Sequence, residues 1–85
     1  MKTFEYVIKD EIGIHARPAG MLVNTVKSFA SAITLRCGDK SADCKKLMKI
    51  MSMGVKCGST VTVTVEGEDE EAAAKAVEAF LKENL

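Results

Sequence analysis

The chain has one histidine, in the run Gly13-Ile14-His15-Ala16-Arg17-Pro18-Ala19, two residues before an arginine and three before the only proline. Pro18 has no amide hydrogen and a fixed φ that suits the first turn of a helix, so His15 is expected near the N-cap, where free backbone N–H groups gather. Such a place favours an anion. A neutral imidazole is a nucleophile near neutral pH, and the positive end of a helix disfavours its protonation while stabilising a phosphate bonded to it. The guanidinium of Arg17 is a fork that fits phosphate oxygens. The chemistry these types suit is phosphoryl transfer through a histidine.

Each residue also has a plainer reading. A lone histidine most often caps a helix or sits satisfied at a surface, a lone arginine is usually a solvated charge, and a lone proline a helix starter. The ordered combination after a strand carries the chemistry.

The elements that must position this run are legible as periodicities. Residues 2–9 alternate, with Phe4, Tyr6 and Ile8 on one face; residues 31–37 do so with Ile33, Leu35 and Cys37; residues 60–66 set Val61, Val63 and Val65 against Thr60, Thr62 and Thr64. A short strand at about 40–44 closes a hairpin across Gly38-Asp39. Helical spacing runs through Ala19, Leu22, Val23 and Val26 in residues 16–28, and through Ala73, Ala76, Val77, Phe80 and Leu81 in residues 70–83. A third helix at about 46–53 stops at Gly54. The order β-α-β-β-α-β-α, with strands polar on one side and helices bearing one apolar stripe, gives an α+β two-layer sandwich: an antiparallel sheet with all helices on one face.

The short helix carries more apolar residues than one face can hold. Ile50 and Met53 are assigned to the core, which leaves Leu47, Met48 and Met51 as an exposed apolar patch suited to binding protein partners. Lys45, Lys46 and Lys49 would rim it, and with Arg17 and Lys27 they would form a positive face around His15 that steers acidic partners. Net charge is zero, but residues 1–60 carry ten Lys/Arg against five Asp/Glu and residues 61–85 two against seven. Glu66, Glu68, Asp69, Glu70 and Glu71 read as solvated acids at a helix start.

Composition excludes other classes. Eighty-five residues, 47% of them hydrophobic, suffice for one core over residues 1–85. Without tryptophan and with one tyrosine, the chain lacks the stacking residues that read single-stranded nucleic acid. Cys37, Cys44 and Cys57 form no CxxC pair, and their odd number argues against a disulfide framework. In the hairpin register Cys44 would face Ile33, four residues or ~13 Å along the strand from Cys37, too far for a bridge. A zinc site from these cysteines and His15 fits no standard spacing, so no metal and no cofactor are expected. The absence of a basic-then-apolar leader and of a membrane-length apolar run points to the cytosol, with no membrane insertion.

These residues resemble the HPr family, the histidine-containing phosphocarriers of the bacterial phosphoenolpyruvate-dependent sugar phosphotransferase system. The resemblance runs the full length: Gly13 to Ala19 looks like the active-site motif, and Lys49-Ile50-Met51-Ser52-Met53-Gly54-Val55 like the second signature. It implies an open-faced β-sandwich of four antiparallel strands and three helices. It further implies that His15 takes a phosphoryl group on Nδ1 from phosphorylated enzyme I and passes it to enzyme II A components. Ala16 and Arg17 would bind the phosphate, Arg17 would assist transfer, and Leu47, Met48, Lys49 and Met51 would contact partners. Such a protein is a carrier, not an independent catalyst, and is expected to be a monomer.

Two departures stand out. Many relatives have, where this chain has Lys46, a serine phosphorylated by a dedicated kinase, so no regulatory serine is expected here. Ile12 stands where relatives often have a small polar residue. The alternative from another class is an HPr-like regulatory module that binds partners without carrying phosphate. A further variant keeps the chemistry in a non-sugar branch, nitrogen-linked or serving a dihydroxyacetone kinase.

Overall fold

The valine and threonine alternation of residues 60–66 makes the central seam of the sheet. In the computed structural model, which describes residues 1–14 and 16–85, the elements are β1 (Lys2–Val7), α1 (Ala16–Val26), β2 (Ala32–Cys37), β3 (Lys40–Asp43), α2 (Leu47–Ser52), β4 (Thr60–Glu66) and α3 (Glu70–Asn84). The strands form one antiparallel sheet in the order β1-β4-β2-β3. The expected order β-α-β-β-α-β-α and the four-stranded open-faced sandwich with three helices are what the structure has.

Register explains the two layers. Phe4, Val63, Leu35 and Ala42 stand side by side across the four strands, and Val63, Leu35 and Ala42 are buried. The neighbouring row, Thr3, Thr64, Thr34 and Asp43, faces away from the core. Against the apolar face pack Ala19, Leu22 and Val26 of α1, Ile50 of α2, and Ala73, Val77, Phe80 and Leu81 of α3. Burying each large aliphatic side chain contributes roughly 1.5–3 kcal/mol, so the sheet and helices hold one another in place.

Boundaries shift slightly from the sequence reading. β1 ends at Val7, yet Ile8 stays buried and its N–H donates to the Ser59 carbonyl at 2.9 Å. The next two N–H groups, of Lys9 and Asp10, turn to the Leu85 carbonyl, which draws the end of α3 onto the loop before α1. The hairpin register is as expected: Thr34 pairs with Asp43, and Cys44 N–H donates to the Ile33 carbonyl at 2.9 Å. α2 ends at Ser52 with Met53 as its cap, and Gly54 follows with φ +64, the left-handed turn that ends a helix.

Candidate functional site

The loop that leads to the histidine is clamped from below. Gly13 is buried with φ +81, and a Cβ placed on it would lie 2.4 Å from the Val55 carbonyl oxygen and 2.7 Å from Lys56 Cα. Only glycine permits that approach. Beside it, Ile14 N–H donates to the same Val55 carbonyl at 3.0 Å, Gly13 N–H to the Asp10 carbonyl at 3.0 Å, and Ile12 N–H to Asp10 Oδ1 at 2.9 Å. One turn further out, Gly58 N–H donates to the Ile8 carbonyl at 2.8 Å. The loop after α2 is thus the bed on which residues 8–14 lie.

Past this clamp the chain enters α1. His15 lies outside the described residues, and so do the expectations that concern its own placement. On either side of it in the chain, Ile14 is buried and Ala16 is the first residue of α1. Pro18 falls third in the helix, within the first turn as the sequence requires, and is buried with Ala19. The first N–H groups of a helix have no partner within it, and Pro18 removes one donor, so Ala16 and Arg17 supply the amides at the helix start. Arg17 is exposed and forms no ion pair among the described residues. With Pro18, Met21, Asp10 and Asn84 it lines a shallow concavity where the end of α3 meets α1.

α2 divides as its composition demands. Ile50 is fully buried and Met53 nearly so, while Leu47, Met48 and Met51 are 37, 75 and 39% exposed. Lys46 and Lys49 are exposed. Lys45 is different from the sequence expectation: its Nζ donates to the Phe29 carbonyl at 2.7 Å, partly buried, so it ties α2 to the far end of α1 instead of rimming the patch freely. That bond also corrects the positive face around the histidine. An 11-residue helix is about 16 Å long, which puts Lys45 and Lys27 at the opposite end of α1 from Arg17. The cations form a strip along α1 and α2. Ile12, 68% exposed, adds an apolar side chain beside the clamp.

Several positioning residues escape a reading of the sequence. Val55 looks like a core valine, and only Gly13, an apparently ordinary loop glycine, hints at the close approach. Asp69 is not merely a solvated acid at a helix start. Its carboxylate accepts the Ala30 and Ser31 N–H groups at 2.9 Å each and the Ser31 hydroxyl, and these bonds, the Ser31 hydroxyl first, hold its carboxyl below the usual range. It caps the start of β2, not its own helix.

The cysteines take three environments. Cys44 is fully buried, Cys37 half-buried and Cys57 exposed, and all three are free. Burial, with the charge of Asp43, pushes the Cys44 thiol up to about 12.

Comparison with known proteins now decides the family. The family model PTS-HPr, described as the PTS HPr component phosphorylation site, matches residues 2–83. The chain belongs to the HPr phosphocarrier family. An HPr from Lysinibacillus sphaericus is 45% identical over 83 residues, covering 98% of this chain and 94% of the relative. The histidine-containing phosphocarrier of a Mycoplasma superposes with a TM-score of 0.94 at 32% identity, covering 96% of this chain and 93% of that one. The multiphosphoryl transfer protein of Salmonella typhimurium is 47% identical over 76 residues; the match covers 86% of this chain but spans only 20% of that protein. An HPr fold thus occurs both alone and as a part of larger transfer proteins. Among the described residues no helix is long and apolar enough to cross a membrane.

Proposed function

We propose that this HPr-family chain carries a phosphoryl group on His15, taking it from phosphorylated enzyme I and passing it to enzyme II A components for sugar uptake in the cytosol. The observation that supports this most directly is the Gly13–Val55 clamp, which fixes the approach to a helix start where Ala16 and Arg17 offer amides and a guanidinium without an ion pair among the described residues. As the bond from phosphorus to its donor breaks, a bond to the imidazole nitrogen forms, Nδ1 by family resemblance. Charge on the three phosphoryl oxygens then meets the amides of Ala16 and Arg17 and the Arg17 fork. Positioning and charge stabilisation do the rest. Leu47, Met48, Lys49 and Met51 are the surface on which partners dock. Lys46 leaves the chain without the regulatory serine.

The test is to incubate the protein with enzyme I and phosphoenolpyruvate and look for a phosphate lost in acid and stable in base. His15→Ala abolishes it. A label that persists in that variant refutes the carrier, since the chain has no second histidine.

A further inference from the structure

β1 is an edge strand: β4 pairs with one side of it, and no described strand with the other. Ile8 N–H donates to the carbonyl of Ser59, which continues the β1–β4 register, at 2.9 Å. Backbone groups point to alternate sides along a strand. Lys2, Phe4 and Tyr6 therefore also bond towards β4, while Thr3, Glu5 and Val7 present their N–H and C=O groups at the open edge. All three are exposed, and neither proline nor glycine interrupts the strand. Such an edge is a template for another strand.

α3 runs beside this edge in the same direction. The amine of Met1 pairs with Glu70 at 2.7 Å and Lys2 with Glu71 at 3.7 Å, and at the other end the Lys9 and Asp10 N–H groups meet the Leu85 carbonyl. Between edge and helix lies a groove of about 360 Å³, lined by the half-buried Phe4 and Ala74 and, on the helix side, by Glu71, Lys75 and Glu78. Lys82 continues that stripe, because residues 71, 75, 78 and 82 follow one another at helical spacing. The stripe reads Glu, Lys, Glu, Lys. About a twofold axis between Ala76 and Val77 it complements itself: Glu71 faces Lys82 of a second copy, and Lys75 faces Glu78 of that copy. The strand has a matching centre. Met1 lies level with Glu70 and Lys9 with Leu85, so Phe4 lies level with Lys75 and Ala76, within about one helical residue, ~1.5 Å, of the same axis. With Phe4 opposite its own copy, Thr3 and Glu5 exchange backbone bonds across the axis and the two rings meet in the groove, a favourable cross-strand pair. A register centred on Glu5 would set two carboxylates directly opposite, which like charge disfavours.

We propose that a second copy of this chain binds here, β1 against β1 antiparallel about Phe4 and α3 against α3, so that two four-stranded sheets become one continuous sheet. One six-residue strand and one helix face lie at the low end of interface size. The dimer therefore forms in concentrated protein, and the monomer expected from the sequence is its dilute form. α2 packs on β3, at the opposite edge of the sheet, so its exposed Leu47, Met48 and Met51 stay open in both copies. The proposal does not depend on the carrier reading.

Sedimentation equilibrium from micromolar to millimolar protein tests it, with Thr3→Pro, Lys75→Glu and the double variant Lys75→Glu/Glu78→Lys beside the parent. The parent is expected to dimerise reversibly, with amide hydrogen exchange at Thr3 and Glu5 slowing as its concentration rises. Thr3→Pro removes an edge N–H that β4 does not use and weakens the dimer about tenfold or more. Lys75→Glu sets carboxylates against carboxylates at two symmetric places and weakens it on the order of tenfold, and the double variant restores the pattern and the affinity. Added salt weakens the parent dimer. Thermal unfolding checks that each variant is folded; if Thr3→Pro is not, the charge variants, which alter exposed side chains only, decide. A parent that stays monomeric at every concentration overturns the proposal. So does a dimer that Lys75→Glu forms as tightly as the parent, or a double variant no better than Lys75→Glu. A dimer that gel filtration separates from monomer, and that re-equilibrates only on unfolding, has exchanged strands and overturns it too.

Discussion

Gly13 and Val55 meet backbone to backbone, with room for no side chain: a Cβ on Gly13 would fall 2.4 Å from the Val55 carbonyl oxygen. Gly13→Ala forces both a left-handed alanine and a parting of the two segments, a cost of about 1–3 kcal/mol. The unfolding temperature drops by about 4–8 °C for each kcal/mol in a domain of this size, and labelling of His15 slows at temperatures where the variant is still folded. A variant as stable as the parent and labelled as fast would show that the two segments do not meet this way.

Arg17 is exposed and without an ion pair among the described residues, so its loss touches no packing. Arg17→Glu is expected to leave the unfolding temperature nearly unchanged and to slow transfer about ten- to a hundredfold, the worth of a charged hydrogen bond. Loss of structure alongside loss of transfer would make Arg17 a structural residue.

Asp69 gives stability a pH dependence at the acid end. Its carboxyl is held below the ordinary range by the Ser31 hydroxyl and the Ala30 amide. A group lowered on folding contributes fully above its unfolded value, about 4, and loses that contribution as pH falls through the folded one. Asp69→Asn is therefore less stable than the parent at neutral pH, and the gap narrows as the pH falls below about 4. Acid-unfolding curves of both proteins check this; a gap that does not depend on pH refutes it.

The three thiols separate by reactivity. Cys57 is exposed, whereas the Cys44 thiol is buried and pushed up to about 12. At about pH 8 a thiol reagent modifies Cys57 first and reaches Cys44 only on unfolding, because the thiolate is the attacking species. Mass spectrometry of the partly modified protein locates the label, and early labelling of Cys44 would contradict its burial.

Lys46 cannot accept a phosphate. Incubation with the serine kinase that modifies relatives at this position, together with ATP, leaves the mass of the protein unchanged. Phosphate on Ser41 or Ser52, both exposed, would show that another hydroxyl has taken over.

What the sequence discloses is what repeats or what is rare. Val61, Val63 and Val65 recur at period two, Leu22 and Val26 at helical spacing, so strands, helices and core could be read in advance. His15, Arg17 and Pro18 are conspicuous as a set, and the four apolar residues of α2, with Met53 at its end, exceed what one face can bury. Contacts between distant segments leave no such trace. Asp69 reaches back 38 residues to Ser31, and Lys45 reaches back 16 to Phe29; each looks like any surface charge until the fold brings its partner near.

The bed beneath Gly13 and Ile14 is supplied by Val55, some forty residues downstream, and β1 gains its strand neighbour, β4, later still. A ribosome that has released the first half of the chain has made the whole histidine motif, but neither the Val55 bed, nor β4, nor the Leu85 carbonyl that takes the Lys9 and Asp10 N–H groups. Long-range pairings of this kind form late, after the entropy of the intervening loop has been overcome. The loop that leads into α1 is therefore held in full only once Leu85, at the end of α3, is in place.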